Sequence, residues 1–247
     1  MSTIKLLVTG YKGRMGQAII DCASRDDQVE VAAQIDIGDS LADALPLCDT
    51  IIDFTHHSFT TELVSAAADA GKNLVIGTTG HTAEELAVIQ DASAKTGIVM
   101  APNFSIGVNT LFWLTAKAAA TLGPDFDLEV VEMHHNQKTD APSGTAKRLA
   151  EILADARNLS YDKDTRHGRQ GDVGARTQNE IGVHSLRGGD VVGDHTVVLA
   201  TDGERIELTH RASNRNTFAG GAVRSARWLA SQPAGLYDMQ DVLNLKD

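Results

Sequence analysis

The chain has 247 residues, 42% of them apolar and 22% charged, which are the proportions of a globular protein with one large core or two smaller ones. Its formal net charge of −11 argues against nucleic acid or an anionic membrane surface as a partner, so an acidic ligand has to be drawn in by a local basic cluster. Cys22 and Cys48 lack a CxxC spacing and point to a reducing compartment, as filler residues rather than as redox or metal groups.

The first element predicted is a buried strand over Ile4 to Thr9, bounded by Gly10. Its apolar run ends too soon for a signal peptide, and no run is long enough to span a membrane, so a cytoplasmic protein is expected. The turn Gly10-Tyr11-Lys12-Gly13-Arg14-Met15-Gly16 leads to a helix expected from Gln17 to about Arg25, then a strand from Val29 ending in Asp36. Strand, glycine turn, helix, strand and terminal acid make a βαβ unit of the dinucleotide-binding kind, although the glycines fall as GxxGxxG rather than GxGxxG. Glycines let backbone approach a pyrophosphate, a helix start offers N–H groups to it, and Asp36 is placed to accept hydrogen bonds from the adenine ribose.

The alternation continues with strands at 50–54, 73–76 and 98–100 and helices from Phe59 to Ala70 and Thr82 to Thr96. Such βα units imply a parallel sheet covered on both faces, with ligands at the carboxyl ends of its strands. The loops Asp53 to Thr55, Gly77 to Gly80 and Ala101 to Phe104 are the candidates there. A helix follows from Ile106 to Leu122, stopped by Gly123-Pro124.

Beyond it the rhythm changes. A strand over Leu128 to Met133, a helix from Ser143 to about Arg157, and strands at 181–186, 191–200 and 205–210 predict a second, smaller α+β domain with a mostly antiparallel sheet. Gly188-Gly189-Asp190 and Asp202-Gly203-Glu204 read as hairpin turns. The polar stretch Asn158 to Gln178, carrying Arg166, Arg169 and Arg176, reads as a long lid or binding loop. A helix over Thr217 to Ser231 and a short tail are expected to return to the first sheet. The expected division is 1–105 plus 215–247 as a dinucleotide-binding domain and 106–214 for substrate binding and oligomerisation, with a hinge at the crossings.

The stretch EVVEMHHNQKTDAPSGTA at 129–146 concentrates the chemistry. His134 and His135 can exchange protons near neutral pH, and Lys138 supplies a compact cation. Pro142-Ser143-Gly144-Thr145 reads as a helix start with N–H groups available to an anion. Together they describe a site for a small acidic substrate. In an extended strand Glu132 and His134 share one face and Met133 and His135 the other, so both histidines reach one site only if the strand ends or twists near His134. A metal held by His134, His135 and a distant His184, His195 or His210 is disfavoured, because adjacent histidines seldom ligate one ion; no metal is expected.

These residues resemble the 4-hydroxy-tetrahydrodipicolinate reductase (dihydrodipicolinate reductase) family of bacterial lysine and diaminopimelate synthesis. The resemblance runs through VTGYKGRMG at 8–16, DFT at 53–55, GTTG at 77–80, APNFSIGVN at 101–109, EMHHNQKTDAPSGTA at 132–146 and THRASNRNTFAGGAVRSARWLA at 209–230. It implies NAD(P)H-dependent reduction of 4-hydroxy-tetrahydrodipicolinate to tetrahydrodipicolinate with loss of water. It implies His134 as acid/base, Lys138 as proton donor and substrate contact, His135 as substrate contact, and Ser143, Gly144 and Thr145 around a substrate carboxylate. Its cofactor positions fall on Gly10, Tyr11, Lys12, Gly13, Arg14, Met15, Asp36, Gly77, Thr78, Thr79, Ala101, Pro102, Asn103 and Phe104. It also implies a homotetramer formed through the second domain.

Two departures stand out. His56 and His57 follow DFT where many members carry proline, and Ile37 follows Asp36 where some carry arginine. Without that cation NADH is expected to be preferred over NADPH, with Lys12 and Arg14 as partial compensation. The competing readings are a dehydrogenase of another small amino or hydroxy acid and a nucleotide-sensing binding protein without catalysis.

Overall fold

In the computed structural model, which describes residues 3–214 and 216–246, the first apolar run forms β1 (Ile4–Thr9) and the glycine turn passes into α1 (Arg14–Ala23). Arg215, inside the last motif, lies outside the described residues. The helix begins at Arg14 rather than Gln17 because Gly13 already serves as its extended N-cap. Gly10 takes φ +63°, and a Cβ on Gly16 would lie 2.4 Å from the Gly10 carbonyl oxygen, so only glycine lets α1 sit this close on the turn.

The chain continues through β2 (Val29–Ile35), a short α2 (Leu41–Ala44) capped by Ser40, β3 (Thr50–Asp53), α3 (His57–Asp69), β4 (Asn73–Ile76), α4 (Ala83–Ala92) and β5 (Gly97–Met100). Helix α2 was not anticipated, since four residues carry too little periodicity to read. Next come α5 (Ile106–Leu122), β6 (Asp127–His134), α6 (Gly144–Arg157), α7 (Tyr161–Asp164), β7 (Thr165–His167), β8 (Ile181–Arg187), β9 (Gly193–Thr201) and β10 (Glu204–Ala212). The chain closes with α8 (Asn216–Leu229), β11 (Gly235–Tyr237) and α9 (Met239–Val242).

Contacts divide the chain into two units, residues 1–106 with 215–247, and Gly107–Asn214. The first holds a parallel six-stranded sheet in the order β11-β5-β4-β3-β1-β2, a Rossmann-like arrangement. Alternation along its strands splits the core. Leu7, Ile51, Leu74 and Ile98 face Leu63, Val64 and Ala67 of α3, while Leu6, Val8, Ile52, Val75 and Val99 face Ile19 of α1 and Ala222, Ala226 and Leu229 of α8. Each fully buried large aliphatic contributes roughly 1.5–3 kcal/mol. The tail does return to this sheet, β11 pairing with β5.

The second unit is an α+β layer whose sheet has the order β10-β9-β6-β8-β7. It is mixed rather than mostly antiparallel: β9 pairs antiparallel with β10 and β6, and β8 pairs parallel with β6 and β7. The turn Asp202–Gly203 closes a true hairpin, with Thr201 opposite Glu204. Gly188-Gly189-Asp190 does not, because β6 lies between β8 and β9. That segment instead crosses the end of β6, with Gly188 N donating to His134 O, Asn136 N to Gly189 O and His135 N to Val191 O. A glycine turn signals reversal of the chain but not which strand becomes the neighbour. The stretch 158–178 is also not a free loop, since it contains α7 and β7, and Arg169 and Arg176 both bind Glu129 on the sheet.

One face of this sheet packs Leu128, Val130, Ile181, Val183, Val197 and Leu199 against Leu111 of α5 and Leu149 and Leu153 of α6. Two residues further along the same strands, that face carries Glu132, His134, Ser185, Arg187 and His195. The aliphatic core therefore turns ionisable at one end.

Candidate active site

Strand β6 ends at His134, which settles how the paired histidines are presented. His134 stays on the core face and is 9% exposed, while His135 is the first residue past the strand and half-buried. Glu132, wholly buried on the same face, places Oε2 2.5 Å from His134 Nδ1. Arg187 Nη1 donates to both Glu132 oxygens, at 3.0 and 2.9 Å, and its Nη2 donates to the Asp140 carbonyl at 2.7 Å. Burial pushes the Glu132 carboxyl up, but hydrogen bonds from Ser185, His134 and Arg187 outweigh it and hold the group below the ordinary range.

The loop after β6 is thereby fixed to the sheet. Lys138 Nζ lies 2.8 and 2.9 Å from the Asp140 oxygens, and this hydrogen bond holds Asp140 below its usual value. Lys138 is largely covered, whereas Asp140 is 62% exposed, so a ligand carboxylate can replace Asp140 on the ammonium.

Helix α6 starts where the sequence placed it, with Ser143 as N-cap: its Oγ accepts from Ala146 N at 3.2 Å. The same hydroxyl is 3.0 Å from His195 Nε2, and Ser143 N donates to Glu132 Oε1 at 3.3 Å. A Cβ on Gly144 would meet nothing within 4 Å, so the helix start is open at that residue. His195 is 4% exposed and its ring lies 5.1 Å from that of His134; burial pushes its pKa down to about 3. His134, His135, Lys138, Ser143, Gly144 and Thr145 thus gather on one strand–loop–helix. His184 lies apart on the other sheet face, 2.7 Å from Glu129. Among the described residues no group of three or more ligating side chains can hold a metal.

Strand ends in the first unit carry the remaining candidates. Gly10 to Met15 join β1 to α1, Asp36 follows β2, Gly77 to Thr79 follow β4, and Ala101 to Phe104 follow β5. Asp36 accepts from the backbone of Lys12 at 3.0 Å and Ile37 at 2.8 Å, and these bonds lower its pKa. The close turn at Gly10 and Gly16 and the half-buried acid beside it fit a pyridine nucleotide. Two candidates have side chains already committed elsewhere. Thr78 donates to Asp53 at 2.7 Å and accepts from Thr55 N at 2.9 Å, and the Phe104 ring is buried 5.4 Å from Phe54. Both therefore offer backbone only.

Three residues were missed as members of these sites, whereas Asp53 stands in a loop already singled out. Asp53, fully buried, accepts from Thr9, Thr55 and Thr78 and ties three strand ends together. Glu132 was visible only as sharing a face with His134, and Arg187 and His195 carried no local signal. At the departure after DFT, His56 caps α3 by accepting from Ser58 N, and His57 lies 3.0 Å from Glu85 at the start of α4.

The family model described as dihydrodipicolinate reductase, N-terminus, matches residues 4–104, and its C-terminus counterpart matches 107–243. A relative from Akkermansia muciniphila named 4-hydroxy-tetrahydrodipicolinate reductase is 57% identical, over 98% of both chains. The solved structure of a dipicolinate-bound dihydrodipicolinate reductase from Paenisporosarcina sp. TG-14 superposes with TM-score 0.80 at 27% identity, covering 97% of this chain and 98% of that one. An NAD complex of GenD2 from gentamicin A biosynthesis, at 13% identity and TM-score 0.59 over 99% and 91% of the two chains, shares the fold alone.

Proposed function

Because this chain belongs to the dihydrodipicolinate reductase family, we propose a division of labour in which the first unit holds a pyridine nucleotide and the β6–α6 segment handles the substrate. The reaction is reduction of 4-hydroxy-tetrahydrodipicolinate to tetrahydrodipicolinate with loss of water. When bound, the nicotinamide supplies the hydride. The protein must hold a cyclic dicarboxylate and manage protons.

His134 is the proton carrier, because it is the imidazole that a buried carboxylate fixes at 2.5 Å; this contact carries the assignment. Lys138 exchanges Asp140 for a substrate carboxylate and supplies a proton from its ammonium. The start of α6 at Gly144 and Thr145 receives the second carboxylate through backbone N–H groups, with Ser143 holding the helix in place and His135 as a side contact. NADH is preferred, since Asp36 meets the ribose and Ile37, 99% exposed, brings no cation to a 2′-phosphate.

Assembly to a homotetramer runs through the second unit, whose outer sheet face leaves Leu186 51% exposed. Light scattering on purified protein tests it, and a monomer at micromolar concentration rejects it. The cytoplasm is the compartment this biosynthetic chemistry and two unpaired cysteines favour. The test of the whole reading is NAD(P)H oxidation with the fresh condensation product of pyruvate and aspartate semialdehyde. No absorbance loss with either cofactor at any pH would reject it.

A further inference from the structure

We infer that Glu132 is a positioning residue that keeps the proton of neutral His134 on Nδ1 and so presents Nε2 as the working nitrogen. The inference rests on the role proposed for His134. Its premise is the donor inventory around one buried carboxylate. Glu132 Oε1 receives Arg187 Nη1 at 3.0 Å and Ser143 N at 3.3 Å, and Oε2 receives Arg187 Nη1 at 2.9 Å. Guanidinium and backbone amide groups only donate, so both oxygens are required as acceptors. An acceptor-only group 2.5 Å from Nδ1 obliges that nitrogen to carry the hydrogen.

A second observation concerns the opposite side of the ring. A Cβ on Gly193 would come to 3.0 Å from His134 Nε2, closer than side-chain carbons ordinarily sit. Gly193 does not have a left-handed φ, so what its lack of a side chain provides here is room. The absent side chain leaves clear the approach to the nitrogen that the Glu132 contact frees.

Glu132→Gln tests the lock sharply. An amide has one acceptor and one donor end. Arg187 Nη1 reaches both places, but Ser143 N donates only to the Oε1 place, so that place takes the amide oxygen. The amide NH₂ then occupies the Oε2 place and donates into Nδ1, which drives the ring proton to Nε2. Such tautomer inversion is the effect known from replacing the triad aspartate of serine proteases by asparagine. The expected result is a kcat lower by about a hundredfold or more with KM and NADH affinity little changed.

The decisive measurement is nitrogen-15 NMR of the histidine ring nitrogens, with the His134 signal identified by its loss in His134→Gln. In wild-type protein above the titration range the spectrum shows a protonated Nδ1 and a bare Nε2. In Glu132→Gln the pattern reverses, while Glu132→Asp, still acceptor-only, keeps the wild-type pattern and outperforms Glu132→Gln. Gly193→Ala is expected to keep the Nδ1 proton yet lose turnover by crowding Nε2. A wild-type proton on Nε2, or an unchanged tautomer in a folded Glu132→Gln, overturns the inference; the wild-type spectrum decides even where the variant does not fold. A reversed tautomer with undiminished kcat leaves the lock standing and removes His134 as the proton carrier.

Discussion

Asp36 lies half-buried at the edge of solvent just past β2, its oxygens receiving the backbone amides of Lys12 and Ile37, while Glu132 is fully buried in β6 with Arg187 and His134 on its oxygens. The first carboxylate works within reach of water, where Coulomb terms are small and screened by salt. The second works in a low dielectric, where each lost partner leaves a charge with no solvent to receive it. Cofactor choice should therefore be graded and tunable, and substrate chemistry close to all-or-none.

The largest effect expected is on Arg187. Arg187→Leu strands the Glu132 charge and should destabilise the protein by about 3–5 kcal/mol. Denaturant unfolding checks this, and a loss under about 1 kcal/mol would mean water reaches Glu132 after all. Next, His134→Ala and Lys138→Ala are each expected to lower turnover by about a hundredfold or more, with NADH binding unchanged because both side chains lie in the second unit. Near-normal turnover at saturating substrate would remove the affected residue from its role.

The third effect concerns pH. His195 has its folded pKa depressed to about 3 by burial, from an ordinary 6.5. Above pH 6.5 it is neutral in both states and contributes nothing to the pH dependence. Below that the unfolded chain binds a proton that the folded one refuses, so stability falls with pH until about pH 3. The loss is about 2 kcal/mol between pH 6.5 and 5. His195→Gln should flatten the unfolding free energy over that interval, and an equal slope in both proteins would contradict the assignment. Glu129, depressed to about 2 by its arginines against the pull of burial, adds a loss only below about pH 4.5.

The smallest effect belongs to Asp36. The NADH preference over NADPH is expected to lie between about a few-fold and tens-fold at low salt, and to shrink as ionic strength rises. Ratios of kcat/KM at two salt concentrations test it. A ratio favouring NADPH would show that Lys12 and Arg14 dominate the pocket.

The same contrast explains what the sequence could tell. The turn from Gly10 to Gly16, Asp36 and the start of α6 are local arrangements, encoded within a few residues, and were legible as such. Glu132 and His134 were placed on one face by strand alternation alone. The partners that give this pair its character come from far along the chain. Arg187 is 55 positions from Glu132, and His195 is 52 from Ser143. Their arrival depends on β6 lying between β8 and β9, a strand order that hairpin signals at Gly188-Gly189 cannot specify. For the same reason β7 was read as loop, since three residues gain strand character only from pairing with β8.

The first sheet is interrupted in sequence: α8 and β11 complete it only after the whole second unit has been threaded out. On the ribosome the order of events follows. Gly107–Asn214 is one uninterrupted stretch and can bury its own core as soon as it leaves the exit tunnel. The first unit must wait with one flank of its sheet bare, because Ala222, Ala226 and Leu229 are translated only after the second unit. A nascent chain stalled near residue 214 would leave Leu6, Val8, Val75 and Val99 without their α8 partners, and that is where a chaperone has reason to bind.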